Sequence, residues 1–111
     1  MFKISVYGKG GIGKSTFSAN LSHGLSEMGH RVLHVGCDPK HDSTRLLVGG
    51  ADIVTFADNP DDFITDSDSG VSCVECGGAS CGTGCAGKGM GLMFDRLRDT
   101  DADYRVCDVL G

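Results

Sequence analysis

A glycine-rich segment near the start of the chain has the residue types and spacing of a phosphate-binding loop. Residues 8–15 fit the pattern G-x-x-x-x-G-K-[ST], in which glycines let successive backbone N–H groups turn toward one anion. Lys14 supplies a positive charge for the phosphates, and the hydroxyl of Ser15 is a ligand for Mg²⁺. The predicted nucleotide-binding residues are Gly8, Lys9, Gly10, Gly11, Ile12, Gly13, Lys14, Ser15 and Thr16.

The residues on either side of this loop predict a strand before it and a helix after it. Residues 2–7 alternate apolar and polar side chains, as a half-buried strand does. Apolar residues then recur at helical spacing, at Phe17, Leu21, Leu25 and Met28. Gly29 is a predicted helix end, and residues 31–35 are predicted to form a second, parallel strand beside the first or one place removed. This order places the loop at the carboxyl edge of a parallel sheet.

Charged residues follow two of the predicted strands at the point where each strand ends. Asp38, Lys40 and Asp42 come directly after the second strand, and Asp108 closes an apolar strand that starts at Tyr104. Both groups are therefore expected at the sheet edge that carries the loop, where carboxylates hold Mg²⁺ through water or position an attacking water. An ordinary polar turn is the alternative for residues 36–45, but the loop upstream favours the functional interpretation.

Four cysteines lie close together in a glycine-rich segment. Cys73, Cys76, Cys81 and Cys85 are separated by two, four and three residues. We expect a loop with too few bulky neighbours to bury these thiols, which favours a soft metal or an iron–sulfur cluster. The spacing fits neither a two-knuckle zinc site nor the usual ferredoxin pattern, so a self-contained four-thiolate site and plain reduced thiols are both alternatives.

The remaining segments complete an α/β fold of the P-loop NTPase type, with a parallel sheet and flanking helices. A short helix is predicted over residues 44–48, and another is predicted from Met90 onward by apolar residues at helical spacing. Residues 51–72 are acidic, contain Pro60 and show only short apolar clusters, so we expect an irregular connection there. The length predicts one domain over residues 1–111, the N-terminal part of a single P-loop ATPase domain.

Composition argues against several classes of protein. The net charge of −5 argues against a non-specific nucleic-acid surface. No apolar run of about eighteen residues and no charged-then-apolar leader are present, so we expect a cytoplasmic protein without a membrane span. The reducing cytoplasm favours metal or redox chemistry over disulfides for the 6 cysteines.

Taken together, these segments resemble the nitrogenase iron protein family along nearly the whole chain. The resemblance is carried by YGKGGIGKST (7–16), GCDPK (36–40), DSTRL (42–46), GCAG (84–87) and DVLG (108–111). The family includes the ATP-binding subunits of dark-operative protochlorophyllide reductase, of chlorophyllide reductase and of a nickel-tetrapyrrole cyclase. Its members are homodimers that bridge one [4Fe–4S] cluster and couple MgATP hydrolysis to electron transfer into a nitrogenase-like catalytic partner complex.

The resemblance implies roles for the matching residues. It makes Lys9 a lysine that reaches over the dimer interface to the partner's nucleotide, and Asp108 the start of a second nucleotide-sensing switch. Cys85 is implied as the first cluster ligand, because two thiolates from each of two subunits complete a four-thiolate site. The implied first switch consists of Asp38, Lys40 and Asp42.

Three features depart from the family pattern. Family members continue past the final glycine with another aspartate and the second cluster cysteine, so we expect an N-terminal portion that is inactive alone. Lys88 stands where many nitrogenase iron proteins carry an arginine that is the site of regulatory ADP-ribosylation. Cys76 and Cys81 stand where the nitrogenase pattern usually has no cysteine, which weakens the assignment to nitrogenase itself.

Two other functions fit parts of the sequence. A dimeric ATPase of the partition or division-site type, without redox chemistry, shares the lysine-bearing loop and the sheet, and a small metal-binding module would use all four clustered cysteines together. The leading prediction is an ATP-hydrolysing oxidoreductase that uses ATP, Mg²⁺ and a [4Fe–4S] cluster. Its predicted iron ligand is Cys85, with Cys73, Cys76 and Cys81 as further candidates.

Overall fold

The described part of the chain forms a five-stranded sheet with helices packed against it. The computed structural model describes residues 2–7, 13–36, 42–49, 53–56, 58–59, 61–67, 70–76, 88–98 and 100–108. In chain order the elements are β1 (Phe2–Val6), α1 (Lys14–Glu27), β2 (Val32–Gly36), α2 (Asp42–Val48), β3 (Ile64–Asp66), β4 (Val71–Glu75), α3 (Lys88–Leu97) and β5 (Tyr104–Asp108). The predicted α/β class is confirmed.

The sheet is parallel except at one edge. The strand order is β1-β5-β2-β4-β3, and only β3 is antiparallel to its neighbour among these strands. β2 lies one place removed from β1, with β5 between them, which is one of the two predicted positions. The register aligns Val6, Asp108, Gly36 and Glu75 in one row across four strands. Because these four strands are parallel, the row marks their shared carboxyl edge, the edge at which ligands bind in open α/β sheets.

Helices cover both faces of the sheet. The core on the first face consists of Val32, Val71, Cys73 and Val106, and apolar side chains of α1 and α2 pack against it. The core on the second face includes Met93 and Leu97 of α3 together with Leu33, Val35 and Val74 of the strands. Burial on both faces explains why the central strands read as apolar runs rather than as alternating patterns.

α1 buries small side chains more completely than the large apolar ones that predict it. Phe17 and Met28 are 60% and 73% exposed, whereas Ser18, Ala19 and Ser22 are buried. A row of small side chains lets the helix backbone lie close to the sheet. The helix is therefore confirmed, and of the four apolar residues that predict it Leu21 and Leu25 pack against the core whereas Phe17 and Met28 do not.

α1 and α2 each end just before a glycine. Gly29 has φ +93 just after α1, and Gly49 has φ +66 just after α2, so both adopt the left-handed conformation that closes a helix. α2 begins at Asp42, before the predicted residue 44, and α3 begins at Lys88, before Met90. Among the described residues, no helix is long and apolar enough to cross a membrane.

The prediction of an irregular connection over residues 51–72 is wrong for residues 64–66 and 71–72, which belong to β3 and β4. β3 and β4 form an antiparallel hairpin closed at Ser67, whose backbone N–H donates to the carbonyl of Val71 over 2.9 Å. The hydroxyl of Ser67 in turn accepts the N–H of Val71 over 3.1 Å, and Gly70 turns the chain at φ +91. Acidic residues and Pro60 make the segment resemble a loop, but pairing with β2 and β3 holds β4 in the sheet.

A buried histidine ties α1 to the centre of the sheet. His34 of β2 is fully buried, and its Nδ1 lies 2.7 Å from the hydroxyl oxygen of Ser22 in α1. Burial lowers the pKa of His34 from 6.5 to about 4, although the nearby charge of Asp108 acts in the opposite direction. The folded protein therefore holds this ring neutral over a pH range in which the unfolded chain protonates it.

We predict that burial of His34 makes the folded protein less stable as the pH falls from 6.5 toward 4. His34 takes up a proton in the unfolded state but not in the folded state. The free energy of unfolding therefore decreases by up to about 3 kcal/mol as the pH approaches 4. His34→Asn keeps a polar atom near Ser22 and removes the titration, so its stability should fall less steeply over this range. Urea denaturation at several pH values measures the effect, with His23→Asn on the exposed surface of α1 as control. Equal slopes for His34→Asn and the native chain would contradict it.

Candidate functional site

A buried ion pair joins the start of α1 to the end of β5. The Nζ of Lys14 lies 3.1 Å from Oδ1 of Asp108, and the two side chains are 4% and 0% exposed. The hydroxyl of Ser15 donates a hydrogen bond to Oδ2 of Asp108 over 3.3 Å. Apart from this ion pair with Lys14, Oδ1 of Asp108 has no hydrogen-bond partner among the described residues. The structure thus brings three of the predicted site residues together.

Local backbone geometry places both halves of this pair. Gly13 has φ +84, a conformation that favours glycine, and its carbonyl accepts the N–H of Phe17 over 2.9 Å. α1 therefore begins at Lys14, within the last two residues of the predicted phosphate-binding pattern. Asp108 ends β5, which lies between β1 and β2. The positive end of the α1 dipole consequently lies at the carboxyl edge of the sheet.

The chemistry of this site fits a magnesium nucleotide. The ammonium of Lys14 can pair with phosphate oxygens, and the hydroxyl of Ser15 can bind Mg²⁺. Oδ1 of Asp108 is a buried carboxylate oxygen that receives no hydrogen bond from the described residues, and a metal-bound water can supply one. A phosphate group beside Lys14 and a Mg²⁺ ion beside Ser15 and Asp108 would therefore each have a partner at this site.

The remaining predicted nucleotide residues are placed only in part. Thr16 lies in the first turn of α1 with its side chain exposed, and Asp42 is the first residue of α2. The roles assigned to the others stay predictions, because the structure does not describe them. These residues are Gly8, Lys9, Gly10, Gly11, Ile12, Asp38 and Lys40.

The two described cysteines of the predicted cluster lie on opposite faces of the sheet. Cys73 belongs to the core beneath α1, Cys76 belongs to the core beneath α3, and each is 1% exposed. The expectation of a loop that leaves these sulfur atoms unburied is therefore wrong for both. The expectation of metal or redox chemistry in place of disulfides is also wrong for Cys76, which is disulfide-bonded. Burial, reinforced by nearby carboxylates, raises the pKa of the Cys73 thiol to about 12, which opposes the thiolate form that binds metals. Cys81 and Cys85 lie outside the described residues.

Sequence reasoning missed a second buried carboxylate at the same sheet edge. Glu75 ends β4 at 1% exposure, and its Oε1 accepts a hydrogen bond from the hydroxyl of Thr44 in α2. Gly36 stands between Glu75 and Asp108 in the row of strand ends. The signal that could have identified Glu75 is its place at the end of a buried strand, and that signal depends on recognising β4.

The chain matches one family model and is similar in sequence to known proteins. Residues 2–111 match the model of the 4Fe-4S iron sulfur cluster binding proteins, NifH/frxC family. The chain is 48% identical to the light-independent protochlorophyllide reductase iron-sulfur ATP-binding protein of Bradyrhizobium sp. (strain ORS 278), over 97% of this chain and 41% of that protein. It is also 48% identical to the nitrogenase iron protein of Methanospirillum hungatei JF-1, over 100% of this chain and 44% of that protein. The chain thus spans about two fifths of the length of these relatives.

Solved structures with bound nucleotide share the fold. Cobyrinic acid a,c-diamide synthase from Mycobacterium smegmatis with bound ADP and magnesium matches with a TM-score of 0.71 at 26% identity, over 97% of this chain and 51% of that chain. The same enzyme with a bound ATP analog and magnesium matches with a TM-score of 0.70 at 25% identity, over 97% of this chain and 51% of that chain. The architecture described here is therefore shared with an enzyme that holds a magnesium nucleotide.

We predict that Gly36→Ala destabilises the protein by about 1–3 kcal/mol, because a Cβ at this position would overlap the carboxylate of Glu75. Chemical denaturation measures the loss. Gly24→Ala is the matched control, since nothing lies within 4 Å of its added Cβ, and in a helix it should stabilise by roughly 0.5–1 kcal/mol. In a Glu75→Ala background, Gly36→Ala should lower the free energy of unfolding by less. An unchanged loss would mean that the two side chains do not compete for this space.

Proposed function

Since the chain belongs to the NifH/frxC family of 4Fe-4S iron sulfur cluster binding proteins, we propose that it is the nucleotide-binding part of an ATP-dependent reductase. In this function MgATP hydrolysis is coupled to electron delivery from a [4Fe–4S] cluster to a partner protein. The observation that carries the proposal is the contact of Lys14 and Ser15, at the N-terminus of α1, with the buried carboxylate of Asp108. The match over residues 2–111 supports the redox half of the function.

The nucleotide is proposed to rearrange the buried ion pair. Lys14 exchanges its contact with Asp108 for phosphate oxygens, while Ser15 offers its hydroxyl to Mg²⁺. Asp108 then accepts a hydrogen bond from a metal-bound water through the oxygen that the described residues leave without a donor. Because Asp108 ends β5, we propose that the residues after it respond when the γ-phosphate leaves.

Residues outside the Lys14 site are proposed to carry out ATP hydrolysis. Asp38, Lys40 and Asp42 follow β2 as a first switch that positions water at the γ-phosphate. Lys9 is proposed to contact the nucleotide of a second copy, so that hydrolysis requires a homodimer. Binding and hydrolysis are thereby assigned to different lysines.

The cluster is proposed to lie between two copies of the chain, with Cys85 of each copy as a ligand. When bound, a [4Fe–4S] group supplies one-electron chemistry. Four thiolates in a bridging site require two from each copy, so each copy must supply one cysteine besides Cys85. Cys73 is unsuited to this role because it packs in the core beneath α1 and its raised pKa keeps the thiol protonated.

The electron acceptor is proposed by class. The names of the two relatives described above concern protochlorophyllide reductase and nitrogenase. A nitrogenase-like catalytic complex is the class that both share. A partition-type ATPase would use the same Lys14 site, but a family match to cluster-binding proteins favours the reductase.

We predict that Lys14→Ala weakens MgADP binding by about 10- to 100-fold, because the phosphates lose a charged hydrogen-bond partner. In a version spanning the relatives' full length, Lys9→Ala should leave the affinity nearly unchanged and abolish ATP hydrolysis. Isothermal titration and a phosphate-release assay measure the two effects. Lys3→Ala is the charge-matched control, since Lys3 is exposed on β1. Loss of nucleotide binding in Lys9→Ala would refute the role of this lysine across the interface.

We predict that anaerobic iron–sulfur reconstitution of a version spanning the relatives' full length gives broad visible charge-transfer absorption. Cys85→Ala should lose this absorption and its iron, because the bridging site loses a ligand from each copy. Cys73→Ala is the matched control and should keep both. An unchanged spectrum after reconstitution would favour the non-redox ATPase. Zinc binding that falls equally in Cys73→Ala, Cys76→Ala, Cys81→Ala and Cys85→Ala would favour the small metal-binding module.

A further inference from the structure

Two cations lie side by side on the face of the sheet that carries α3. Lys3 of β1 aligns with Arg105 of β5 in the parallel register, and aligned residues of neighbouring strands point to the same face. Arg105 is half-buried, and the central carbon of its guanidinium lies 4.6 Å from the centre of the Phe94 ring in α3. Lys3 is exposed on β1, the edge strand of the described sheet. One member of the pair is therefore packed against a helix, and the other is open to solvent.

No carboxylate pairs with either cation among the residues that the structure describes. The ion pairs found there involve other basic residues, namely Lys14, His23, Arg31, Arg96 and Arg98. Nε of Arg105 is buried and has no hydrogen-bond partner. Like charges directly opposite each other on neighbouring strands repel, and a partly buried charge also loses solvation by water. An anion placed beside both cations would reduce both costs.

The Cys107 thiol lies in the same positively charged surroundings. It belongs to β5, two residues after Arg105 and on the same face, and it packs in the core beneath α3. Burial raises the pKa of the thiol, whereas the charge of Arg105, a hydrogen bond from Arg105 and the charge of Lys3 act in the opposite direction. The two charged groups that act on Cys107 are thus both cations. This part of the sheet therefore favours a negatively charged ligand.

The pair is separate from the nucleotide site. Asp108 lies three residues after Arg105 in β5, and an odd separation places two side chains on opposite faces of a strand. Three residues also span about 10 Å along the strand. Lys14 and Ser15 contact Asp108 from the side of the sheet that carries α1. A phosphate held by Lys14 would consequently lie on the other side of the sheet from Arg105.

We propose that Lys3 and Arg105 form a second anion-binding site, which takes a phosphate group as its ligand. Two cations match the charge of about −1.5 to −2 that a phosphomonoester carries near pH 7. A guanidinium offers a planar fork of N–H donors to phosphate oxygens, and an ammonium adds a mobile point charge. Contact with Phe94 restrains the guanidinium before the ligand arrives. Ser5, which is exposed and aligned with Cys107, places a hydroxyl donor on the same face.

The test follows the Nε–H signal of Arg105 by NMR in the ¹⁵N-labelled chain at pH 7, with NaCl holding the ionic strength constant. Inorganic phosphate and methyl phosphate are titrated separately, and the one that binds more tightly identifies the form of the ligand. Phosphate should shift the signal to saturation. Sodium acetate at the same concentration should shift it less, because acetate carries a single charge.

Variants assign the binding to the two cations. Lys3→Gln should weaken phosphate binding by about 2- to 5-fold, the contribution of an exposed ion pair. Arg105→Gln, followed at the backbone amide of Cys107, should weaken it by about 10- to 100-fold, as expected for losing hydrogen bonds to a charged group. Arg98→Gln is the matched control and should bind phosphate normally, since Arg98 is already paired with Asp95.

Three results would overturn the proposal. A shift that NaCl alone reproduces would reflect screening of charge and not a site. A response of Arg105 that disappears in Lys14→Ala would come from the nucleotide site instead. If Arg105→Gln does not fold, Lys3→Glu decides, because Lys3 is exposed and its replacement does not disturb a core. The new carboxylate should pair with Arg105, move the Nε–H signal without phosphate and abolish the response to phosphate, and a retained response would refute the site.

Discussion

The contact between Lys14 and Asp108 is the interaction on which the rest of this structure depends. Both side chains are buried, and two charges removed from water are stable only if each stays close to the other. This requirement fixes the first residue of α1 against the last residue of β5. It also explains why β5 must lie beside β1, since the loop after β1 leads directly into α1. A phosphate group can replace the carboxylate as the partner of Lys14, which makes the same constraint suitable for ligand binding.

A second constraint acts along the row of strand ends. Asp108 and Glu75 stand on either side of Gly36, and Glu75 occupies the space that a side chain at Gly36 would need. The sheet edge therefore holds two buried carboxylates, one bound to α1 and the other to α2. α1 and α2, the two helices that follow proposed nucleotide segments, are therefore each held to the sheet by a carboxylate as well as by apolar packing.

The cysteines show that residue type does not determine chemical role. Cys73 and Cys76 belong to the same dense sequence cluster as Cys85, yet their side chains enter different cores. Successive side chains of a strand point to opposite faces, so a strand separates thiols that a loop could bring together. Burial then raises the pKa of Cys73 to about 12, which suits a packing residue rather than a ligand.

The sequence by itself predicted a phosphate-binding loop, and it determined the class of fold, the family and the main helices and strands, because these depend on local spacing and glycine conformation. The pairing of Lys14 with Asp108 was foreseeable as a shared sheet edge but not as a direct contact, since they lie 94 positions apart along the chain (108 minus 14). Only the tertiary structure decided that residues 71–75 form a strand, because pairing with β2 outweighs their loop-like surroundings. It also decided that α1 buries serines and that Glu75 is internal, since both follow from what packs against them. Local pattern specifies an element, and long-range packing specifies which of its faces is used.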